Sequence, residues 1–351
     1  MGASPEIRID QLTGTRVLIA PGRAERPDQF GLEPWHPHGP EGCPFCEGSE
    51  GMTPAEIDAD RPDGSSPDGP GWRTRTVPNL YPALLPEGEM SGDGEGAAGA
   101  FASTADPLLA SARSAEPDMF ASRPAVGAHE VVINSPRHIT SITELDRAEL
   151  EIVVATWRRR MLAHADAAYV QLILNQGPDS GASIEHSHAQ IGAMSFVPAA
   201  IARERERFNS YRERTAGASL LGEVLREEIR RGDRLVAIDD EVALICPWAS
   251  RHPYEMRIIP RRPQPSFERD EGGASMLGRA AGALAELFGG PPQINLWVKT
   301  APRGVEHFHW HLDLIPRLEP ASAFEMATGV NINITSPETA AAALRDAIES
   351  G

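Results

Sequence analysis

The sequence contains few cysteines, almost no lysine and no long apolar run, and each absence excludes a class of protein. No stretch of about 18 consecutive apolar residues occurs, so we expect no membrane-spanning helix and no membrane partner. Residues 1–21 lack the apolar segment of a secretory signal, which predicts a cytoplasmic location. The chain has 351 residues and only three cysteines, an odd and small number that excludes a disulfide framework.

The charge balance is strongly acidic. The net charge of −17 excludes the broad basic surface that nucleic acids require, so no nucleic-acid partner is expected. Lys299 is the only lysine, and the other 32 of the 33 basic residues are arginines, which reflects codon supply. An acidic protein still binds phosphorylated substrates where a metal, a few arginines or backbone N–H groups meet.

Two segments, residues 51–72 and 87–117, are rich in Gly, Pro, Ser and acidic residues, and we predict that the second is a mobile insertion. The order strand, helix, strand, loop and His-rich strand then occurs twice, about 120 residues apart. The predicted fold is α+β, with two fused units of residues 1–213 and 214–351 that share antiparallel sheets and flanking helices. The predicted elements are the strands 130–134, 169–175, 254–261 and 294–298, the helices 146–164 and 274–288, the loops 176–185 and 300–306, and the His-rich strands 186–190 and 307–313.

The two His-rich strands carry the candidate chemistry. Because side chains alternate along a strand, His186, His188 and Gln190 share one face. In the second copy the shared face carries the histidines at 307, 309 and 311 together with Asp313. The alternative is a polar, half-exposed strand that happens to be rich in histidine.

A histidine on such a strand can act as a nucleophile. Imidazole attacks phosphorus near neutral pH and is readily displaced again, whereas a neighbouring glutamine can donate to phosphoryl oxygens without titrating. The loop of residues 175–183 precedes the strand and supplies glycines, hydroxyls and N–H groups for phosphate. We therefore predict that His188 attacks a nucleotide α-phosphate and carries the nucleotide covalently.

The pair Cys43 and Cys46 has the spacing of a metal knuckle or a redox centre. A redox pair lies at a helix N-terminus after a strand, whereas here Gly42 and the sequence Glu47-Gly48 place turns on both sides. The pattern therefore favours a metal knuckle.

Taken together, these motifs resemble the galactose-1-phosphate uridylyltransferase family, the transferase branch of the histidine-triad superfamily. The matching segments cover most of the chain: Cys43-Pro44-Phe45-Cys46, residues 79–84, Ser135-Pro136-Arg137-His138, the sequence from Asn175 to Gln190, Ser195-Phe196-Val197-Pro198, and His309-Trp310-His311. The resemblance implies two fused histidine-triad-like units, a homodimer, and a ping-pong transfer between a nucleotide sugar and a sugar-1-phosphate.

The resemblance also implies roles for individual residues. His188 would be the nucleophile, and Gln190 would hold the phosphoryl oxygens. In the hydrolase branch a histidine replaces this glutamine and protonates the leaving group, so Gln190 favours transfer over hydrolysis. The implied substrate-binding residues are Asn79 for the nucleoside, Asn175, Gly181 and Ser183 for the phosphates, and Lys299 and Asn331.

By the same comparison, Cys43, Cys46, His138 and His186 form a structural zinc site. Two thiolates and two imidazoles suit tetrahedral Zn²⁺. The metal would fix His186, two residues from the nucleophile. The alternatives are an empty knuckle, or ligation by His36 or His38.

Many relatives bind a second metal, iron or zinc, through one glutamate and three histidines. Glu204, His309 and His311 match three of these ligands, but the remaining position falls near Val298 or Lys299. We expect this site to be weakened or absent. His307 could substitute as a ligand, Lys299 could supply the missing charge, or Lys299 could be a solvated residue at a strand end.

Some segments depart from the uridylyltransferase pattern. Ser187 stands where these enzymes carry proline, and residues 309–317 and 324–333 resemble the ADP-glucose phosphorylase branch more closely. The predicted function is hexose-1-phosphate uridylyltransfer. The alternatives are phosphorolysis of ADP-glucose or a dinucleoside polyphosphate, and a zinc-stabilised nucleotide-binding module with a vestigial active site.

Overall fold

The structure, a computed structural model, describes residues 4–25, 35–86, 88, 124–320 and 322–350. The insertion predicted at residues 87–117 lies outside this range apart from Gly88. Within these ranges, no helix combines the length and the apolar character needed to cross a membrane.

The part of the chain that the structure describes contains thirteen strands and six α-helices. The strands are β1 (Glu6–Ile9), β2 (Arg16–Ile19), β3 (Asp58–Asp60), β4 (Thr74–Pro78), β5 (Gly127–Ile133), β6 (Tyr169–Gln176), β7 (His188–Met194), β8 (Leu235–Ile238), β9 (Val242–Ile245), β10 (Met256–Pro260), β11 (Ile294–Lys299), β12 (His311–Pro316) and β13 (Asn331–Asn333). The helices are α1 (Arg147–Ala163), α2 (Ala199–Arg214), α3 (Leu220–Arg231), α4 (Ala274–Phe288), α5 (Ala323–Thr328) and α6 (Pro337–Ser350).

Ten strands form one antiparallel sheet in the order β3-β4-β5-β7-β6-β11-β12-β10-β9-β8. The order is symmetric about the pair β6–β11, because each half contributes five strands in the same sequence of neighbours. β7 and β12, the two His-rich strands, therefore hold equivalent positions. This arrangement confirms the predicted α+β fold with antiparallel sheets and flanking helices.

The central strands bury one face of the sheet in the core, and the opposite face carries the candidate site residues. Alternate residues such as Leu172 on β6, Ile191 on β7 and Leu296 on β11 are fully buried in the main apolar core. This core also contains Trp157 of α1 and Leu284 of α4. Because side chains alternate, His188, Gln190 and their neighbours on β6 and β11 project from the opposite face.

Both His-rich strands begin later than predicted, at His188 and His311. The residues just before them bond to loops instead of continuing the strand ladders. The N–H of Ser187 donates to the carbonyl of Ile139 at 2.7 Å, and that of Trp310 donates to the carbonyl of Gln264 at 2.8 Å. The predicted helices are confirmed to within about one residue at each end.

Candidate active site and metal site

His188 is the first residue of β7, and its side chain is held in one orientation. Its Nδ1 lies 2.8 Å from the carbonyl oxygen of His186. Because a carbonyl only accepts, the ring proton lies on Nδ1 and Nε2 carries the lone pair. Burial also lowers the pKa of His188, since desolvation disfavours the charged ring. The neutral imidazole with a free Nε2 is the form that can attack phosphorus.

The cysteine knuckle contacts His188 directly. The ring of Phe45, between the two cysteines, packs edge-on against the His188 ring with centroids 5.2 Å apart. The same ring lies 6.2 Å from the ring of His186. Phe45 therefore links the position of the knuckle to the orientation of His188, a contact that the sequence did not indicate.

Gln190 is oriented by His129, a residue that the sequence analysis did not single out. The backbone N–H of Ala83 donates to Nδ1 of His129 at 3.1 Å, which places the proton of the neutral ring on Nε2. That Nε2–H donates to Oε1 of Gln190 at 2.9 Å. The amide NH₂ of Gln190 is thereby directed away from His129 and is available as a donor.

Four side chains converge at the knuckle. One potential ligand atom from each of Cys43, Cys46, His138 and His186 lies within 4.8 Å of all the others. His138 Nδ1 is 3.3 Å from Cys46 Sγ, and His186 Nδ1 is 3.5 Å from Cys43 Sγ. Burial and the neighbouring thiol raise the pKa of Cys46 to about 12, whereas burial lowers the pKa of His186 to about 4. Two sulfurs and two imidazoles at this spacing fit a tetrahedral metal.

The outer nitrogens of both candidate histidine ligands are also occupied. His186 Nε2 donates to the carbonyl oxygen of Ser135 at 2.8 Å, and His138 Nε2 lies 3.2 Å from Glu185 Oε1. The carboxylate of Glu185 additionally accepts from the backbone N–H groups of His38 and Gly39. His38 thus contacts Glu185, and its exposed ring does not join the converging group. Such outer contacts fix the rings that bind a metal.

The loop before β7 packs tightly on one side and is exposed on the other. Asn295 Nδ2 donates to both Asn175 Oδ1 at 2.8 Å and the carbonyl of Ser180 at 2.7 Å. Gly177 has a φ of 86°, and a Cβ there would lie 2.5 Å from Cγ of Gln293. Gly181 and Ser183 are exposed on the same loop. The loop therefore presents backbone and hydroxyl groups to solvent beside β7.

A cleft of about 740 Å³ lies on the face of the sheet that carries Gln190. Gln190 pairs with Ile173 of β6, and Ile173 pairs with Trp297 of β11. Both Ile173 and Trp297 line the cleft, so it adjoins Gln190. Other lining residues include Gln171, Arg203, Arg251, Arg257, Lys299 and Asn331. Asn79 lies on the other side of β7, where its backbone N–H donates to the carbonyl of His129.

Ser187 does not face this site. Its hydroxyl accepts from Asn134 Nδ2 at 3.1 Å, and Asn134 Oδ1 in turn accepts from the indole N–H of the buried Trp157. The departure from proline at this position therefore changes the interior packing and does not alter the surface that faces the substrate.

The second half repeats the hydrogen bonds of the first, but Glu204 covers Nε2 of His311, the counterpart of His188. His309 Nε2 donates to the carbonyl of Pro260 at 2.9 Å, and His311 Nδ1 donates to the carbonyl of His309 at 3.2 Å. These bonds match those of His186 and His188. However, His311 is fully buried, and its Nε2 lies 3.3 Å from Glu204 Oε1. His311 therefore cannot serve as a second nucleophile.

Comparison with known proteins agrees with this arrangement. The profile of the galactose-1-phosphate uridyl transferase N-terminal domain matches residues 101–198. ADP-glucose phosphorylase of Arabidopsis thaliana is 29% identical over 362 residues, which cover 98% of this chain and 93% of the relative. Galactose-1-phosphate uridylyltransferase of Thermotoga maritima is 26% identical, with 97% and 98% covered.

A crystal structure of the Arabidopsis ADP-glucose phosphorylase with bound ADP-glucose superposes with a TM-score of 0.77 at 27% identity, covering 98% of this chain and 99% of that one. Over nearly its whole length the chain is thus similar to members of the galactose-1-phosphate uridylyltransferase family. The members of this family that match the chain are enzymes. The predicted resemblance, including its features of the ADP-glucose phosphorylase subgroup, is thus confirmed.

The buried histidines predict a stability that falls in acid. Burial lowers the pKa of His309 from 6.5 to about 4, and it also lowers that of His311. Below pH 6.5 the unfolded chain therefore binds protons that the folded chain does not, so the free energy of unfolding decreases as the pH falls. At pH 5 the expected loss for a histidine such as His309 is on the order of 2 kcal/mol.

Denaturant unfolding at pH 7.5, 6 and 5 measures this dependence. The matched variant His309→Gln offers an amide donor at the position of Nε2 for the carbonyl of Pro260 but removes the titrating ring, so its loss of stability between pH 7.5 and 5 should be smaller. An unchanged or rising stability of the wild type in acid would contradict the assignment of neutral, buried rings.

Proposed function

We propose that this protein is a nucleotidyltransferase that works in two steps through a nucleotidyl-His188 intermediate. The observation that carries the proposal is the bond from His188 Nδ1 to the carbonyl of His186, which leaves Nε2 as the nucleophile. In the first step Nε2 forms a bond to the α-phosphorus of a nucleotide sugar, and the bond to the sugar-phosphate oxygen breaks. In the second step an acceptor phosphate oxygen attacks the same phosphorus, and Nε2 leaves with its electron pair.

Gln190 would stabilise the charge that develops on the phosphoryl oxygens. Its NH₂ group is the only donor end of the amide, and His129 occupies the other end. A preorganised donor of this kind favours the transition state because it needs no reorientation during the reaction. Asn175, Gly181 and Ser183 would bind the phosphates from the preceding loop, Asn79 would contact the nucleoside, and Asn331 the sugar end of the cleft.

For the donor we propose ADP-glucose, with inorganic phosphate as the acceptor. The full-length similarity to ADP-glucose phosphorylase, in both sequence and structure, supports this choice. The second candidate is uridylyl transfer from a UDP-sugar to a sugar-1-phosphate, because the matching profile and several relatives carry that function. Both reactions use the same nucleotidyl-histidine.

Incubation with one nucleotide sugar and no acceptor separates the two candidates. Intact-protein mass spectrometry should show an adenylyl adduct with ADP-glucose and a much smaller yield with UDP-glucose. A uridylyl adduct as the main product would establish the second candidate. No adduct with either donor, on protein with its metal bound, would refute the covalent mechanism and favour a nucleotide-binding module.

We assign zinc as the metal of the knuckle group, because two thiolates and two imidazoles form a donor set that suits Zn²⁺. Its ligands would be Cys43, Cys46, His138 and His186. Bound there, the ion would fix the backbone of His186 and so the carbonyl that holds His188. We further propose two histidine-triad-like units that meet at residues 213 and 214, a homodimer and a cytoplasmic location. Size-exclusion chromatography with light scattering tests the dimer.

His129 should act as a positioning residue for Gln190. His129→Ala frees the amide to rotate, so the single-turnover rate of adduct formation should fall roughly tenfold or more. In the Gln190→Ala background the same substitution should have almost no further effect, because the group that it orients is gone. Equal losses in both backgrounds would show that His129 acts independently of Gln190. His36→Ala, an exposed histidine outside both sites, is the control.

A further inference from the structure

A buried ionic cluster lies where β11 and β12 reach the cleft. Nζ of Lys299 is 2.9 Å from Oε2 of Glu204, and Nε2 of His311 is 3.3 Å from Oε1 of the same carboxylate. Glu204 and His311 are completely buried, and Lys299 is 9% exposed. The only lysine of the chain thus forms an ion pair with a buried glutamate.

The contact between Glu204 and His311 joins two acceptors. The proton on His311 Nδ1 is donated to the carbonyl of His309, so Nε2 presents a lone pair to the carboxylate. Neither Glu204 Oε1 nor His311 Nε2 has a hydrogen-bond partner. A buried carboxylate that faces another acceptor is unfavourable unless a cation neutralises it.

The proton that would turn His311 into this cation is disfavoured. Burial lowers the pKa of His311 well below its ordinary value, and the nearby guanidinium of Arg257 and ammonium of Lys299 act in the same direction. The positive charge beside Glu204 is therefore the ammonium of Lys299.

The donor set does not fit a second metal. Within the described ranges, the knuckle group is the only set of three or more His, Cys, Asp or Glu side chains whose ligand atoms converge. His309 directs Nε2 to the carbonyl of Pro260, and its Nδ1 lies 3.5 Å from the hydroxyl of Ser219. His307, the other possible substitute, is exposed. Only Glu204 and His311 remain, and the ammonium of Lys299 already neutralises the carboxylate.

We infer that Lys299 takes the place of a metal ion in this chain, as an internal cation that binds Glu204 and ties α2 to the adjoining ends of β11 and β12. This inference rests on the cluster itself and does not depend on the proposed nucleotidyl transfer. It predicts that Glu204 and His311 are latent ligands: they lack only a third donor and the removal of the ammonium.

The pairing of β11 with β12 shows which position could supply the third ligand. Lys299 and His311 are directly paired across β11 and β12, so their Cβ atoms are about 5 Å apart and their side chains share one face. An imidazole at position 299 would therefore replace the ammonium and add a third ligand beside Glu204 and His311. One carboxylate and two or three imidazoles suit Zn²⁺, Co²⁺ or Fe²⁺.

The test compares metal content after equilibration with Co²⁺ and removal of the excess. Lys299→His should bind one more equivalent per chain than the wild type. The added ion should lack the thiolate charge-transfer absorption that marks the Cys43 and Cys46 site. In Lys299→His/His311→Ala the extra equivalent should be lost. Lys299→Met should gain no metal and should melt at a lower temperature, because it leaves Glu204 buried without a cation.

Two results would overturn the inference. The first is a wild type that loses metal upon His311→Ala or Glu204→Gln, which would show that a metal already binds there. The second is a Lys299→His variant with native near-ultraviolet circular dichroism that takes up no additional Co²⁺. Because every readout is metal content, absorption or melting, a failure of the proposed catalysis would leave these outcomes unaffected.

Discussion

His188→Ala should abolish the covalent nucleotidyl adduct and lower turnover by at least about 10⁴-fold. Alanine removes the free Nε2 of a ring that is held by the carbonyl of His186, the atom that we propose attacks phosphorus. His311, its counterpart on β12, cannot compensate because it is fully buried against Glu204.

The same variant should keep its metal and its fold. The His188 side chain is not among the four converging ligand groups, so metal content and melting temperature should remain close to those of the wild type. The measurements are intact-protein mass after incubation with ADP-glucose or UDP-glucose, and metal content by elemental analysis. His307→Ala, an exposed histidine of the second half, is the matched control and should form the adduct normally. An adduct that persists in His188→Ala would assign the nucleophile to another residue.

His186→Ala should remove the metal, destabilise the protein by several kcal/mol and abolish activity as a consequence. Its Nδ1 faces both cysteine sulfurs, at 3.5 Å and 3.6 Å, and its ring is completely buried. Loss of this ring opens the site and leaves a cavity beside Phe45, which packs on the nucleophile. The carbonyl of residue 186 that orients His188 loses its anchor as well.

A second variant shows whether the losses of metal and activity in His186→Ala come from the lost ligand or from damage to the fold. Cys43→Ser should remove the metal through a different ligand while keeping the size of the side chain, so both variants should lose metal and activity together. Elemental analysis, denaturant unfolding and adduct formation are the readouts. If His186→Ala retains its full metal content, the four-ligand assignment is wrong, and His36 or His38 becomes the candidate for the remaining ligand.

Much of the site follows from local sequence because it depends on the alternation of one strand. The pattern of residues 186–190 predicts two histidines and a glutamine on one face. In the structure β7 carries His188 and Gln190 on one face, whereas His186 precedes the strand and lies at the cysteine knuckle. The knuckle spacing of Cys43 and Cys46 predicts a metal group, and the resemblance to relatives supplies His138. The repeated order of elements predicts two similar halves, which the symmetric order of the sheet reproduces.

The features that could not be predicted depend on register between distant strands. His129 meets Gln190 only because β5 and β7 are neighbours, although 61 residues separate them in the chain. Lys299 meets Glu204 across 95 residues, through the packing of α2 on the sheet, and only the resemblance to metal-binding relatives offered this as one of several alternatives. Neither contact leaves a periodic signal in the sequence. Ser187 is the opposite case: its identity suggested an effect on the substrate, whereas its hydroxyl bonds inward to Asn134.

The central claim is that Nε2 of His188 carries the nucleotide, and peptide mapping of the trapped adduct tests it most directly. Protein incubated with ADP-glucose or UDP-glucose without acceptor is digested at mildly alkaline pH, where a phosphoramidate survives, and the modified peptide is fragmented. The nucleotidyl group should be found on His188 and should disappear when phosphate or a sugar-1-phosphate is added. A nucleotidyl group on any other residue, or one that no acceptor removes, would contradict the mechanism.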